Sequence, residues 1–298
     1  MIEKEIMRLK KEKNAVILAH FYQNGKIQDM ADFVGDSLAL AKQAAKTDAD
    51  MIVFCGVKFM AETAKILSPD KKVLLPVKNA GCAMANMIDI EKLSEHKKKH
   101  PEQTIICYVN TRADVKALSD VCVTSSSAAS IVSHFKNDKL LYIPDKNLGA
   151  YLRDQMGLDM EIWPGHCYIH NNLTIKDIET KRKQYPDAEV LVHPEAPLDV
   201  LKQADFVGST SQILMHATTS DKKTFVIGTD KGLLHPLKKN NPDKTFVLLN
   251  EGLSCRDMKL TRPDDVLAAL REERFEITVD PSIASEAKTA LDKMIELS

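Results

Sequence analysis

Short apolar runs alternate along the chain with longer amphipathic stretches, and polar residues follow the runs directly. The segment 188–213 shows this well, with one apolar run that ends at 193–195 and a second that ends at 209–210. Continuous apolar runs are typical of parallel strands that are buried on both faces. Strands that alternate with helices predict an α/β fold, in which parallel sheets lie between layers of helices.

This segment occurs three times, and polar residues recur in each copy at one spacing. Seventeen residues separate His20 from Ser37, Tyr108 from Ser125, and His193 from Thr210. One lysine and one cysteine per copy also recur, 85 or 88 residues apart, namely Lys58, Lys146, Lys231, Cys82, Cys167 and Cys255. Such a repeat predicts three pseudo-symmetric αβα units around a pseudo-threefold axis. Because ligands bind beyond the carboxyl ends of parallel strands, the three units would then share one central site.

The apolar periodicity predicts four strands in each unit, with helices between them. The predicted strands are 16–19, 32–34, 51–55, 73–75, 105–109, 121–123, 140–143, 160–163, 189–192, 205–207, 224–227 and 245–249. A tail with a helix at 264–271, a strand at 275–279 and a helix at 282–297 is expected to fold back onto the first unit. The predicted units are therefore 1–83 with 258–298, 84–169, and 170–257.

Composition argues against several classes of function. A formal net charge of −1 gives no reason to expect a nucleic acid or an anionic membrane as partner. No apolar run approaches the ~20 residues that span a bilayer, and the charged amphipathic start does not resemble a secretory signal. Six scattered cysteines favour a reducing cytoplasm, where thiols serve metals or chemistry rather than disulfides.

The three repeated cysteines each follow a strand, and no two of them form a CxxC pair. Taken singly, each could be an inert loop residue, but equivalent positions around an axis lie close together. Three thiolates could hold zinc or an iron–sulfur cluster. A [4Fe–4S] cluster needs four ligands, so three cysteines would leave one iron open to substrate as a Lewis acid. Cys55, Cys107 and Cys122 lack the repeat relation and are predicted to be core residues.

Two further sets of polar residues follow the strands. The first set is His20, Tyr22, Tyr108, Asn110, His193 and Glu195, in which His, Glu and Tyr can move protons while Asn binds without titrating. The second set is Ser37, Ser125, Ser209 and Thr210, each placed where a strand leads into a helix. These hydroxyls could simply cap helices, or they could bind anions together with free N–H groups at the helix starts.

The motifs of the chain resemble those of quinolinate synthases over essentially its whole length. They are AHFYQ, ADFVGDSL, GVKFMAETAKIL, CAMANM, YVNT, VTSSSA, PDKNLG, GHCYIH, VHPE and ADFVGSTSQ. The resemblance implies three αβα domains around a [4Fe–4S] cluster with three cysteine ligands. It also implies condensation of iminoaspartate with dihydroxyacetone phosphate to quinolinate, with loss of phosphate and two waters, in NAD biosynthesis. An iminoaspartate-producing aspartate oxidase or dehydrogenase would be a functional partner.

The resemblance also implies a role for each matching residue. Cys82, Cys167 and Cys255 would ligate the cluster, Tyr22, His193 and Glu195 would be catalytic, and His20, Ser37, Tyr108, Asn110, Ser125, His170, Ser209 and Thr210 would contact substrate. The sequence departs from the family at Phe21 and Ser127, where the usual motifs have Asn. Two other interpretations stay open: a mononuclear zinc or iron lyase on the same cysteines, and an electron-transfer or iron-sensing protein. The last would need a fourth cluster ligand, and the repeat supplies none.

Overall fold

The computed structural model describes residues 2–298, and these residues form three four-stranded parallel sheets. The strands are β1 (Ala15–His20), β2 (Phe33–Gly35), β3 (Met51–Cys55), β4 (Lys72–Leu74), β5 (Gln103–Tyr108), β6 (Val121–Val123), β7 (Lys139–Ile143), β8 (Met160–Ile162), β9 (Glu189–Val192), β10 (Phe206–Val207), β11 (Thr224–Gly228) and β12 (Thr245–Leu248). The sheet orders are β2-β1-β3-β4, β6-β5-β7-β8 and β10-β9-β11-β12. One topology is therefore used three times, which confirms the predicted fold class.

One helix precedes the first strand, and further helices connect the strands and follow the third sheet. They are α1 (Ile2–Glu12), α2 (Gly25–Met30), α3 (Ser37–Lys46), α4 (Lys58–Leu67), α5 (Ile90–Lys99), α6 (Ala113–Ala117), α7 (Ala128–Ser133), α8 (Lys146–Met156), α9 (Ile175–Gln184), α10 (Leu198–Leu201), α11 (Thr210–Thr219), α12 (Leu234–Asn240), α13 (Pro263–Glu272) and α14 (Pro281–Glu296). None of the helices within residues 2–298 has the length and apolarity needed to cross a membrane.

Each sheet is covered on both faces because successive residues of a strand point to opposite sides. In the first sheet, Ile17 and Val53 belong to the apolar cluster that includes residues of α1 and α13. Their neighbours Leu18 and Phe54 belong to the cluster that includes residues of α3 and α4. The continuous apolar runs in the sequence thus reflect strands without a solvent face.

An aspartate repeated at the same spacing ties the second strand of each sheet to the first. Its carboxylate accepts the N–H of a first-strand residue at 2.8 Å in all three units, in the pairs Asp32 with Ile17, Asp120 with Ile105, and Asp205 with Val190. These aspartates are 88 and 85 residues apart, as are the site residues. The repeat therefore extends to hydrogen bonds that support the sheets.

The tail differs from its prediction in two respects. The strand expected at 275–279 does not form, and Glu276 makes only an isolated antiparallel bridge to Leu74. Glu273 and Phe275 have φ of 51° and 60°, and these left-handed conformations interrupt the extended backbone. Helix α13 packs on α1 as expected, but α14 packs on α4 and also on α6 and β6. The last helix thus contacts both the first and the second unit, and the proposed unit boundaries stay predictions.

Candidate active site

Residues from all three units line one cavity at the carboxyl ends of the sheets. The cavity encloses about 630 Å³ between its atoms, including its opening to solvent. The site candidates that line it are His20, Tyr22, Ser37, Cys82, Tyr108, Asn110, Ser125, Cys167, His193, Glu195, Thr210 and Cys255. Two candidates, His170 and Ser209, are fully buried and are not part of the lining. The structure therefore brings together residues that the sequence spreads over more than 230 positions.

The three cysteine loops are anchored by one repeated hydrogen bond. The N–H of each repeated lysine donates to the carbonyl two residues before the cysteine, in the pairs Lys58 to Ala80 at 2.8 Å, Lys146 to Gly165 at 2.7 Å, and Lys231 to Leu253 at 2.8 Å. The N–H groups of Cys167 and Cys255 also donate to the buried carboxylates of Asp145 and Asp230, at 3.1 and 2.6 Å. Val57 takes the corresponding place in the first unit, so its loop has no such carboxylate.

The thiols of the three repeated cysteines are free and face the same space. Burial raises the pKa of Cys82 to about 12, and the nearby Cys255 adds to that rise. Burial likewise raises the pKa of Cys167, to which Glu195 and Cys82 contribute. These thiols hold their protons unless a metal displaces them. Cys55, Cys107 and Cys122 are fully buried in the core, as predicted.

Glu195 is the most connected side chain of the cavity. Tyr108 Oη donates to its Oε1 at 2.7 Å, Asn110 Nδ2 lies 3.4 Å from the same oxygen, and His170 Nδ1 lies 2.8 Å from Oε2. Burial by itself would raise the pKa of Glu195, but the hydrogen bonds from His170 and Tyr108 lower it below its ordinary value. Glu195 is therefore an oriented carboxylate that is ionised near neutral pH.

Tyr22 belongs to a second network that reaches the same histidine. Its Oη is 2.6 Å from Thr229 Oγ1 and accepts a hydrogen bond from Thr210 Oγ1 at 3.2 Å. Thr229 Oγ1 is also 2.9 Å from His170 Nε2, so the histidine connects Tyr22 to Glu195. Burial, followed by the charge of Glu195, raises the pKa of Tyr22. Tyr22 therefore keeps its proton and acts as a hydrogen-bond donor or proton source.

The two histidines at strand ends are neutral at ordinary pH. Burial lowers the pKa of both His20 and His193 to about 3. The N–H of Tyr22 donates to His20 Nδ1 at 3.1 Å, and that of Glu195 lies 3.3 Å from His193 Nδ1. Each Nδ1 is thus an acceptor, which leaves Nε2 protonated toward the cavity. His193 Nε2 is 3.2 Å from Ser125 Oγ.

Of the four hydroxyl residues near helix starts, three line the cavity and one caps a helix. Ser37 and Thr210 are the first residues of α3 and α11, Ser125 lies just before α7, and all three line the cavity. Ser209 instead caps α11: its Oγ accepts from the N–H of Gln212 at 3.3 Å in a capping box. The sequence alone could not separate these roles because both require the same residue type at a helix start.

Sequence reasoning did not single out Thr229, which connects Tyr22 with His170. Thr229 lies two residues before Lys231, and the corresponding residues in the other units are Gly56 and Pro144. The other two units have no hydroxyl at this position, so the sequence repeat did not point to Thr229. Phe21, by contrast, packs in an apolar cluster and does not line the cavity.

Comparison with known proteins identifies the family of the chain. The chain matches the family model described as Quinolinate synthetase A protein over residues 4–296. It is 53% identical over 295 residues to the quinolinate synthase of Alkaliphilus metalliredigens, covering 98% of this chain and 97% of the relative. It is 44% identical over 298 residues to quinolinate synthase 2 of Methanosarcina acetivorans, covering 100% and 96%. The chain belongs to the quinolinate synthetase A family. The predicted family is thereby confirmed, and the chain is an enzyme.

The donor set at the centre of the cavity is compatible with a metal cofactor. Three thiols, one from each unit, line the same enclosed space, and none of them is used in a disulfide. Thiolates are the preferred ligands of iron–sulfur clusters, and a bound metal would displace the protons that the raised pKa values of Cys82 and Cys167 keep on these thiols. For this family member, the cysteines therefore fit a three-cysteine cluster.

Proposed function

We propose that this enzyme condenses iminoaspartate with dihydroxyacetone phosphate to form quinolinate, with release of phosphate and two waters, in NAD biosynthesis. The observation that carries the proposal is the joint lining of one cavity by three thiols, an oriented carboxylate and three helix-start hydroxyls, in a chain of this family. Iminoaspartate would come from an aspartate oxidase or dehydrogenase, and we place the reaction in the cytoplasm.

Cys82, Cys167 and Cys255 would hold a [4Fe–4S] cluster with one iron free of protein ligands. Such an iron supplies Lewis acidity toward hydroxyl and carboxylate oxygens. Ser37, Ser125 and Thr210 would hold the carboxylates of the substrate, because hydroxyls and free N–H groups at helix starts bind anions.

Glu195 would act as the principal base, and His193 would assist as a donor through its protonated Nε2. Tyr108 and Asn110 donate to Glu195. When the substrate carboxylates take these donors, Glu195 loses hydrogen bonds that favour its charged form and becomes a stronger base. Tyr22, held by Thr229 and Thr210, would return a proton during dehydration. His20 would bind substrate through its protonated Nε2, and His170 would orient both Glu195 and Tyr22.

The deciding experiment is an assay of quinolinate formation by anaerobically purified protein. Iminoaspartate is generated in the reaction mixture, and dihydroxyacetone phosphate is added. We expect product from the native chain and none from Cys82→Ala, Cys167→Ala or Cys255→Ala. If protein shown to contain about four irons per chain makes no quinolinate, the substrate assignment is wrong, while the cluster assignment stands. If protein with one zinc or iron and no sulfide makes it, the mononuclear alternative is correct.

A further inference from the structure

Three donor atoms beside the cavity converge without any contribution from Cys82 or Cys255. One ligand atom each of Cys167, His170 and Glu195 lies within 4.8 Å of the other two. His170 Nδ1 is 3.2 Å from Cys167 Sγ and 2.8 Å from Glu195 Oε2. His170 and Glu195 are buried, and Cys167 is half-buried beside them. Ligand atoms of a tetrahedral zinc lie roughly 3.3–3.7 Å apart, so small side-chain movements would bring these three donors to a metal-binding separation.

The surroundings of this triad are those of a metal site. A histidine that binds a metal through Nδ1 carries its proton on Nε2 and donates it to an outer partner. His170 Nε2 has such a partner in Thr229 Oγ1 at 2.9 Å. Glu195 Oε1 is fixed by Tyr108 Oη at 2.7 Å, so its Oε2 is held toward His170. The outer contacts that orient two of the three donors are therefore already present.

The charge and the type of the three donor atoms indicate which metal ion would bind. A thiolate and a carboxylate together carry two negative charges, which a divalent cation neutralises inside a buried site. A sulfur, a nitrogen and an oxygen donor in a four-coordinate arrangement suit Zn²⁺ and its relatives, and they do not suit Mg²⁺ or Ca²⁺. The fourth position would face the cavity, where Cys167 and Glu195 are both part of the lining.

We propose that the cluster-free chain binds one Zn²⁺-class ion on Cys167, His170 and Glu195. This ion would share only Cys167 with the cluster, so the two would exclude each other. A chain loaded with zinc would then resist cluster assembly and would also have its catalytic carboxylate blocked. The inference is independent of the substrate proposed above, because it concerns metal occupancy alone.

Cobalt is the probe, since Co²⁺ replaces Zn²⁺ and reports thiolate ligation through its absorption. The full chain, stripped of cluster by a chelator, is titrated with Co²⁺ under reducing conditions. We expect one tightly bound cobalt per chain with a thiolate charge-transfer band, and at least tenfold weaker binding (roughly the loss seen when a metal site is disturbed) in His170→Ala. Cys82→Ala and Cys255→Ala are the matched controls and should bind cobalt like the native chain. Loss of cobalt binding in either control would place the ion among the three cysteines and overturn the proposal.

A second variant tests the same site independently, in case His170→Ala binds cobalt weakly because it is misfolded. Glu195→Gln keeps the shape of the side chain and removes the anionic donor, so it should weaken cobalt binding while the thiolate band persists. Zinc loaded beforehand should slow iron incorporation during cluster reconstitution in the native chain, but not in His170→Ala. Native cobalt affinity in both His170→Ala and Glu195→Gln, or equal slowing by zinc in native and His170→Ala protein, would refute the shared site.

Discussion

Equivalent residues in the three units have acquired different chemical properties. The paired strand-end positions hold His20 and Tyr22 in the first unit, whereas the third unit has His193 and Glu195. All four are shielded from solvent, but only Glu195 gains partners that favour its charged form. The histidines and Tyr22 are instead held neutral by burial. Similar local geometry thus supplies one ionised base among neutral hydrogen-bonding groups.

The variant Glu195→Gln should lower quinolinate formation by about a hundred- to ten-thousandfold, because it removes the proposed base and keeps the side-chain volume. Cluster absorption should be unchanged, since Glu195 is not among the proposed cluster ligands. The measurement is steady-state turnover together with the visible spectrum. Glu62→Gln is the matched control, because Glu62 is a buried carboxylate outside the cavity. Near-native turnover in Glu195→Gln would remove Glu195 from the mechanism.

The buried histidines should make the cluster-free protein sensitive to acid. His20 and His193 have pKa values of about 3 in the folded chain, compared with 6.5 ordinarily, so the unfolded chain binds protons that the folded chain does not. Stability should therefore fall as the pH drops from 6.5 toward 3, by about 1.4 kcal/mol per pH unit for each histidine. Urea unfolding at several pH values measures this slope.

His20→Gln tests the assignment of this pH dependence. The substitution removes one titrating group, so it should reduce the slope by about 1.4 kcal/mol per pH unit. His134→Gln, a change outside the buried cavity, is the control and should leave the slope as it is. An unchanged slope in His20→Gln would mean that His20 is protonated in the folded chain.

At the scale of elements, one residue of each unit lies near the strand-end loop of the next unit. This residue follows the repeated lysine, and it is Phe59, Asn147 or Gly232. Asn147 Nδ2 donates to the carbonyl of Glu195 at 2.9 Å. A Cβ on Gly232 would lie 2.6 Å from the carbonyl oxygen of Phe21, so only glycine permits this approach. Phe59 and Val109 line a common gap.

Asn147→Ala should therefore affect catalysis from outside the cavity. Loss of the hydrogen bond to the Glu195 backbone frees the loop that positions the carboxylate, and turnover should fall by about ten- to hundredfold. Asn171→Ala is the control, because Asn171 Oδ1 accepts from Asn147 but does not contact Glu195. We expect a smaller loss there. Equal losses in the two variants would show that the amide pair matters only for packing.

At the scale of the molecule, one apolar cluster extends through the first two units. It includes Leu18 and Ile52 of the first sheet, Ile106 of the second, and Leu291 of α14. Because α14 contacts α4 as well as α6 and β6, it joins the two units through buried side chains. The cavity between the units depends on their mutual position, and α14 helps to maintain it.

Leu291→Ala should destabilise the protein by about 2–5 kcal/mol, the cost of a cavity at a fully buried leucine. Chemical denaturation followed by circular dichroism measures the change. Lys293→Ala, on the exposed side of the same helix, should stay within about 0.5 kcal/mol of the native chain. Equal stability of Leu291→Ala and the native chain would contradict a joining role for α14.

The sequence by itself determined the three parallel sheets, because apolar runs buried on both faces and a constant spacing of polar residues are properties of the chain order. It also placed most candidate residues at strand ends, where the topology requires a common site. The tail was less accessible to such reasoning, since 275–279 has the composition of a strand while positive φ values at Glu273 and Phe275 interrupt the backbone at its start.

Only the tertiary structure decided how the candidates divide their roles. Ser209 and Thr210 are adjacent in sequence, yet one caps a helix and the other lines the cavity. Thr229 and His170 are 59 residues apart in the sequence, and they meet only because the end of β11 packs beside the Cys167 loop. Ionisation, hydrogen bonding and metal binding depend on distances and burial between remote segments, and these quantities arise only when the three units pack together.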